Sequence, residues 1–293
     1  YSRRKMKERL KKFLYSPQFP YSLFAMYIHQ KEKGNKEKLM HLLEQKADLL
    51  DAVNENQRPH WEERIQKVLD AKENVNIPRV EAAGTFQEGS LIMHNGIKID
   101  PLSYYSFPLL KMLIDNKGVH EPEEERIFQE VLKQLDTNKK LTMLELGSYW
   151  SFYSMWLLSL FPNANCYMVE PSRQNLYYGK KNFELNKRKG TFIHAGIGKE
   201  VNKAANTLTV DEIYQKNNIL FLDILHSDIQ GFELEMLEGS KRMFEEDRIG
   251  YVFISTHSNE LHADCRKVLL TGCLSSISMS SSILLRCMVL FAI

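Results

Sequence analysis

Cysteine is scarce in this sequence: Cys166, Cys265, Cys273 and Cys287 are the only four in 293 residues, and none stands in a Cys-x-x-Cys spacing. That argues against a disulfide-stapled scaffold or a sulfur-ligated zinc module and is expected of reduced thiols in a cytoplasmic setting. No run of about 18 apolar residues is available to span a bilayer, and no secretory leader is visible. The first residue is Tyr1 rather than Met, as expected of a fragment. Neither sign of charge is in surplus, since 39 Lys and Arg face 37 Asp and Glu for a net charge of +2. This gives no case for a nucleic-acid partner. Glycine is sparse too, with 14 residues that nowhere complete a Gly-x-Gly-x-x-Gly turn, the phosphate cradle of nicotinamide-binding folds.

What is present is organised around Leu141 to Glu170, LTMLELGSYWSFYSMWLLSLFPNANCYMVE. Leu141 to Leu146 is a short, mostly apolar run suited to a parallel strand covered on both faces, and Gly147 ends it. Ser148 to Phe161 lacks Gly and Pro and predicts a buried helix, stopped by Pro162 and Asn163. Cys166 to Val169 predicts a second strand with Glu170 at its carboxyl end. In open parallel sheets ligands bind beyond the carboxyl ends of the strands, and an acid about twenty residues after the first turn commonly accepts the ribose hydroxyls of a nucleoside. Glu145-x-Gly147-x-x-x-Ser151 is an incomplete form of such a turn, and an ordinary strand-to-helix turn explains it equally well.

Before this stretch the chain is helical and then irregular. Residues 1–12 carry Arg3, Arg4, Lys5, Lys7, Arg9, Lys11 and Lys12 against Glu8, with Met6, Leu10, Phe13 and Leu14 at helical spacing. A basic amphipathic helix on an anionic membrane or partner fits them, as does a solvated helix end. Lys36 to Lys72 predicts a helical hairpin suited to packing or homo-oligomerisation. Residues 73–104 are punctuated by Pro78, Gly84, Gly89, Gly96 and Pro101, and predict short strands at Ser90–Met93 and Ile97–Ile99. Pro122 followed by Glu123, Glu124 and Glu125 predicts a helix start, the acids complementing the positive end of the helix dipole. On that reading these glutamates and His120 are capping groups rather than metal ligands.

After Glu170, Ser172 predicts an N-cap for a helix to about Lys189, and Thr191–Ala195 a third strand followed by Gly196 and Gly198. Val210–Lys216 predicts a short helix, Ile219–Ser227 a fourth strand with Asp228 at its end, and Phe232–Glu246 another helix. Tyr251–Ser255 and Glu260–Leu270 complete the alternation. Strands separated by helices in this rhythm predict an α/β fold with a doubly wound parallel sheet behind an N-terminal helical arm. The expected division is 1–75 helical arm, 76–120 irregular β cap segment, 121–270 main domain and 271–293 an atypical, serine-rich tail.

Four segments together resemble the FkbM family of S-adenosylmethionine-dependent methyltransferases: LELGSYWSFYS with Glu145 and Gly147, VEPS from Val169 to Ser172, LHSDIQGFELEMLEG from Leu225 to Gly239, and ISTHS from Ile254 to Ser258. The family's acid-x-acid-Gly-x-Glu element is represented by Asp228 to Glu233, with Gln230 in place of the second acid. The resemblance implies a Rossmann-like methyltransferase sheet, S-adenosyl-L-methionine as cofactor, and O-methylation of a sugar or small metabolite. It implies Glu145, Gly147 and Ser148 around the methionine part, Glu170 on the ribose and Asp228 near the transferred methyl.

Methyl transfer from a sulfonium needs two ligands aligned and the acceptor deprotonated. Asp228 suits orientation of the acceptor or removal of its proton; capping the next helix is its structural alternative. His226 shares a face of the strand with Asp228 and reads as a base or a core histidine, and His257 is a further candidate base. No metal site is assigned, although Asp228 with His226 or His257 would suit a divalent ion, and His262 with Cys265 makes only a bare pair. Glu233 and Glu235 read as first-turn helix charges. Two competing readings are a partner-holding module without activity and a nicotinamide-dependent oxidoreductase, the latter opposed by the missing glycine turn.

Overall fold

The computed structural model describes residues 8–9, 11–16, 19–104, 106–275 and 290–292. The arm begins earlier than its hydrophobic spacing suggests, with α1 at Tyr21–Glu44 and α2 at Arg58–Leu69, whose second residue is Pro59. Two 3₁₀ turns, each capped by an acidic or amide side chain, separate them. Three short strands follow, β1 (Phe86–Gln87), β2 (Ser90–Ile92) and β3 (Lys98–Ile99), in an antiparallel sheet. Next come α3 (Phe107–Asp115) and α4 (Pro122–Leu132).

The main sheet begins with β4 (Thr142–Leu146) and alternates with helices: α5 (Phe152–Leu160), β5 (Asn165–Val169), α6 (Arg173–Leu185), β6 (Thr191–Ile193). A small parallel pair, β7 (Gly196–Ile197) and β8 (Thr207–Leu208), precedes α7 (Val210–Lys216) and β9 (Leu222–Ser227). Then α8 (Glu233–Glu238), α9 (Lys241–Glu245), β10 (Ile249–Thr256), α10 (Asn259–Ser275) and β11 (Leu290–Ala292) complete the described elements. The strand order is β6-β5-β4-β9-β10-β11, and every neighbouring pair is parallel. This is the doubly wound, Rossmann-like α/β order, and the direction of winding reverses between β4 and β9. Among the described residues no helix is long and apolar enough to cross a membrane.

Each strand shows why its residues were legible as strands. In β4 the alternate residues Leu144 and Leu146 join one buried cluster with Leu225 and Ile254, while Met143 joins the other with Met168, Ile224 and Phe253. Burial on both faces produces the near-continuous apolar runs seen in the sequence. The second cluster also takes in Leu39 and Leu49, so the arm is part of the main core. Arg173, in the first turn of α6, fastens it further. Its guanidinium donates to the carbonyls of Leu14, Ser16 and Phe19 and lies 4.6 Å from the Phe24 ring.

Several boundaries differ from the sequence reading for identifiable reasons. The helix expected from Ser148 starts at Phe152, because Tyr149 and Ser151 hold φ of 46° and 64° and lie outside the right-handed helical region. The segment 232–246 is two helices, broken at Gly239 and Ser240, where a side chain at 239 would meet the carbonyl of Gly198. The third strand stops at Ile193, since Gly196 and Ile197 turn away to pair with Thr207 and Leu208. The last helix continues through residue 270 to Ser275. Residues 1–7 of the basic stretch, and residues 276–289 of the serine-rich end, lie outside the described residues.

Candidate active site

Period-two geometry gathers the polar groups of the sheet on one face. Met168, Glu145, His226 and Phe253 are lateral partners across β5, β4, β9 and β10, so their side chains stand side by side. Two residues further along each strand lie Glu170, Gly147, Asp228 and Ser255, a second row at the carboxyl edge. The first row is buried under α4 and α5; of the second, Glu170, Gly147 and Asp228 open on a cavity of about 670 Å³, while Ser255 is buried against Glu124. Glu145, Gly147, Ser148, Glu170, His226 and Asp228 all line it, so the expected cofactor and acceptor residues share one space.

Gly147 sits at the winding reversal with φ of +67°. A Cβ there would fall on the carbonyl oxygen of Asp228 and lie 2.8 Å from its carbon. The bare backbone is what lets the ends of β4 and β9 meet. Glu145 is buried, accepts a 3.1 Å bond from the Ser154 amide and so ties β4 to the first turn of α5; burial pushes its carboxyl up to about 7. The Ser148 hydroxyl is buried and has no hydrogen-bond partner among the described residues. Glu170 accepts from the amides of Tyr149 at 3.0 Å and Ser172 at 2.7 Å, and from Asn175 Nδ2 at 3.3 Å. Those amide bonds fix its carboxylate between the Gly147 turn and the start of α6, where Ser172 is the N-cap that its sequence position suggests.

Asp228 does not cap a helix. Its Oδ1 accepts from Gln230 Nε2 at 3.2 Å and lies 3.3 Å from His257 Nε2, and burial followed by the charge of Glu121 pushes its carboxyl up to about 6. His257 lies outside the cavity wall but bridges to it, with Nδ1 3.3 Å from Glu233 Oε1. Glu233 is the first correction to the reading of helix charges: it is fully buried, and its carboxylate accepts from the amides of Ile229 and Gly231. Asp228, Glu233 and His257 are the one group of three whose ligand atoms come within 4.8 Å of one another among the described residues. His262 instead faces Thr256 at 3.3 Å, while Cys265 is buried in the core. His226 is enclosed by Tyr153, Phe128 and Phe253, and burial lowers its pKa to about 4. At neutral pH it is therefore an uncharged imidazole, with Nδ1 unpartnered among the described residues.

The second correction concerns the start of α4. Only Glu123 of its three glutamates is exposed. Glu125 caps the amides of His120 and Glu121 and also meets both His120 and His94, and Glu124 turns toward the sheet. Tyr153 Oη lies 3.2 Å from both Glu121 Oε2 and Glu124 Oε2, and Ser255 Oγ bonds Glu124 Oε1. A phenol has one proton and can donate to one carboxylate only. Burial and the charge of Glu121 push the Glu124 carboxyl up to about 8, and in its protonated form it can donate to Tyr153 while Tyr153 donates to Glu121. For Glu121 burial opposes ionisation, but His120 outweighs it and leaves the carboxyl below its ordinary value. The alternating positions of Glu121, Glu124 and Glu125 around α4 carried this signal in part, since helical spacing puts Glu121, Glu124 and Glu125 on one face.

A buried carboxyl with a raised pKa binds its proton more tightly folded than unfolded. The stability it confers is complete below about 4.5 and is lost as pH rises toward about 8. Glu124→Gln should therefore melt above the parent protein by a margin that widens between about pH 5 and about pH 8, followed by calorimetry. A constant margin would mean that Glu124 does not hold the extra proton.

Residues 143–274 match the family model described as the methyltransferase FkbM domain. Over this segment the chain is similar to FkbM methyltransferase domains. The segment contains all but the first residue of β4, the Gly147 turn, Glu170 and Asp228, while the arm and the β1 to β3 sheet precede it. The solved structures similar to the chain include methyltransferase FkbM from Methylobacillus flagellatus KT, at 19% identity over 58% of this chain and 47% of that one, with a TM-score of 0.34. Precorrin-6y C5,15-methyltransferase from Geobacter metallireducens GS-15 is similar at 15% identity over 50% and 70%, TM-score 0.38. The METTL16 MTase domain is similar at 17% over 51% and 58%, TM-score 0.36. The chain thus spans less than half the length of the FkbM structure. No curated protein matches the chain.

Proposed function

We propose that this domain binds S-adenosylmethionine and transfers its methyl group to a hydroxyl of a sugar or small metabolite. The observation that carries this reading is the row Glu170, Gly147 and Asp228 along the carboxyl edge of three adjacent strands, around one cavity. The residues fit the cofactor. A carboxylate has about four acceptor positions, and Glu170 uses three within the protein, leaving one for a ribose hydroxyl. A second hydroxyl would replace the long bond from Asn175. Ser148 offers an unpartnered buried hydroxyl beside the Gly147 backbone, and Glu145 lines the same wall. A volume of about 670 Å³ is within the range of small-molecule sites.

The chemistry such a cofactor supplies is a methyl group on a sulfonium, displaced in line by the acceptor. Asp228 would hold the acceptor hydroxyl and receive its proton, and a carboxyl raised to about 6 is closer to that task than an ordinary one. His257 and Gln230, both at Asp228 Oδ1 or beside it, are positioning residues. Neutral His226 and the Glu121 carboxylate stand at the same end of the cavity and would accept further hydroxyls, and the Tyr104 and Trp150 rings supply flat faces.

The test is incubation with methyl-labelled S-adenosylmethionine and a panel of neutral saccharides. Label recovered as an alkali-stable methyl ether is the expected result. Label on carbon or nitrogen would contradict the hydroxyl acceptor.

A further inference from the structure

The corner where residues 8–16 meet the first turns of α1 carries two properties together. Arg9, Lys11 and Lys12 are exposed there, and Phe13, Leu23 and Met26 are 55%, 50% and 68% exposed. Leu23 and Met26 are three apart on α1 and adjacent on its surface, turned away from the buried Phe24 and Ile28. Phe13 is held at the same corner, its ring 5.4 Å from that of Phe19. Arg173 clasps the carbonyls of Leu14, Ser16 and Phe19, so the basic stretch is fixed against the domain. In the sequence Glu8 is the only acid before Glu32, and basic residues continue upstream of it.

We infer that this corner docks on an anionic lipid bilayer, with Arg9, Lys11 and Lys12 at the headgroups and Phe13, Leu23 and Met26 entering the interface. Charge complementarity selects the anionic surface, and exposed large apolar groups beside the charges distinguish a bilayer from a merely acidic protein face. Arg173 begins the helix that follows Glu170, so docking would hold the Glu170 wall of the cavity near the membrane. The inference is independent of which ligand the cavity takes.

The test is sedimentation of the full chain with vesicles of phosphatidylcholine containing about 30% phosphatidylserine, against pure phosphatidylcholine, at about 0.1 M salt. Partition onto the anionic vesicles alone is expected. Combined Arg9→Gln, Lys11→Gln and Lys12→Gln should lower it about a hundredfold, each cation near such a surface contributing about fivefold. Phe13→Ser with Leu23→Ser and Met26→Ser should lower it about tenfold or more. Because all six side chains are exposed, the melting temperature should stay that of the parent, which separates lost docking from lost folding. Equal partition onto both vesicles, partition onto neither, or an unchanged partition in either triple variant would overturn the inference.

Discussion

Gly147→Ala should destabilise the protein by about 3 to 5 kcal/mol and abolish nucleoside binding in whatever remains folded. Two costs act together. An alanine at φ of +67° occupies the left-handed region, at about 1 to 2 kcal/mol. Its methyl would also overlap the Asp228 carbonyl and lie 3.2 Å from Ile229 Cγ2, forcing the ends of β4 and β9 apart. Backbone atoms on both sides cannot yield as a flexible side chain would. Separation of those strand ends moves Asp228 and the Ser148 amide together, so the cavity is lost with the stability. Urea unfolding and calorimetric titration check the two effects. A variant within about 1 kcal/mol of the parent would contradict the close approach.

Glu170→Ala should weaken binding of S-adenosylmethionine by a factor of about 10 to 100 or more. A hydrogen bond to a charged group contributes about 1.5 to 3 kcal/mol, and the alanine variant loses the contact with the ribose. It also leaves the Tyr149 and Ser172 amides without their acceptor, which loosens the Gly147 turn on one side and the start of α6 on the other. Glu170→Gln should restore only part of the affinity. Both carboxylate oxygens accept backbone amides, so the glutamine NH₂ must face a donor. Equal affinity in parent and alanine variant, with folding intact, would remove Glu170 from the binding site.

The fold was legible in the sequence because the strands are buried on both faces. Runs such as Leu141–Leu146 and Leu222–Ser227 stand out against amphipathic helices, and the strand, helix rhythm leaves few topologies. The expected start at Ile219 was too early, since Leu220 and Phe221 are exposed ahead of the strand. Gly147, Glu170 and Asp228 were legible because each ends a strand, and strand ends are where ligands bind in such sheets. What the sequence concealed is contact between distant elements. Glu124 and Glu125 look like dipole charges after Pro122, and nothing local says that the face bearing them packs against Tyr153, Ser255 and His94. Glu233 likewise has the ordinary position of a first-turn acid, yet its carboxylate folds back onto the loop before it. The late start of α5 was hidden because Tyr149 and Ser151 are residue types that seldom take positive φ. His226 and His257 were named as alternatives, and their environments now separate them: one is uncharged within an aromatic wall, the other lies between two carboxylates.

The central claim is that the row of Glu170, Gly147 and Asp228 forms a nucleoside site for methyl transfer. Calorimetric titration of the intact protein with S-adenosylmethionine and S-adenosylhomocysteine, with NAD as control, tests it most directly. Binding of the first two without NAD is the predicted result. Binding of NAD, or of none of the three, would contradict it.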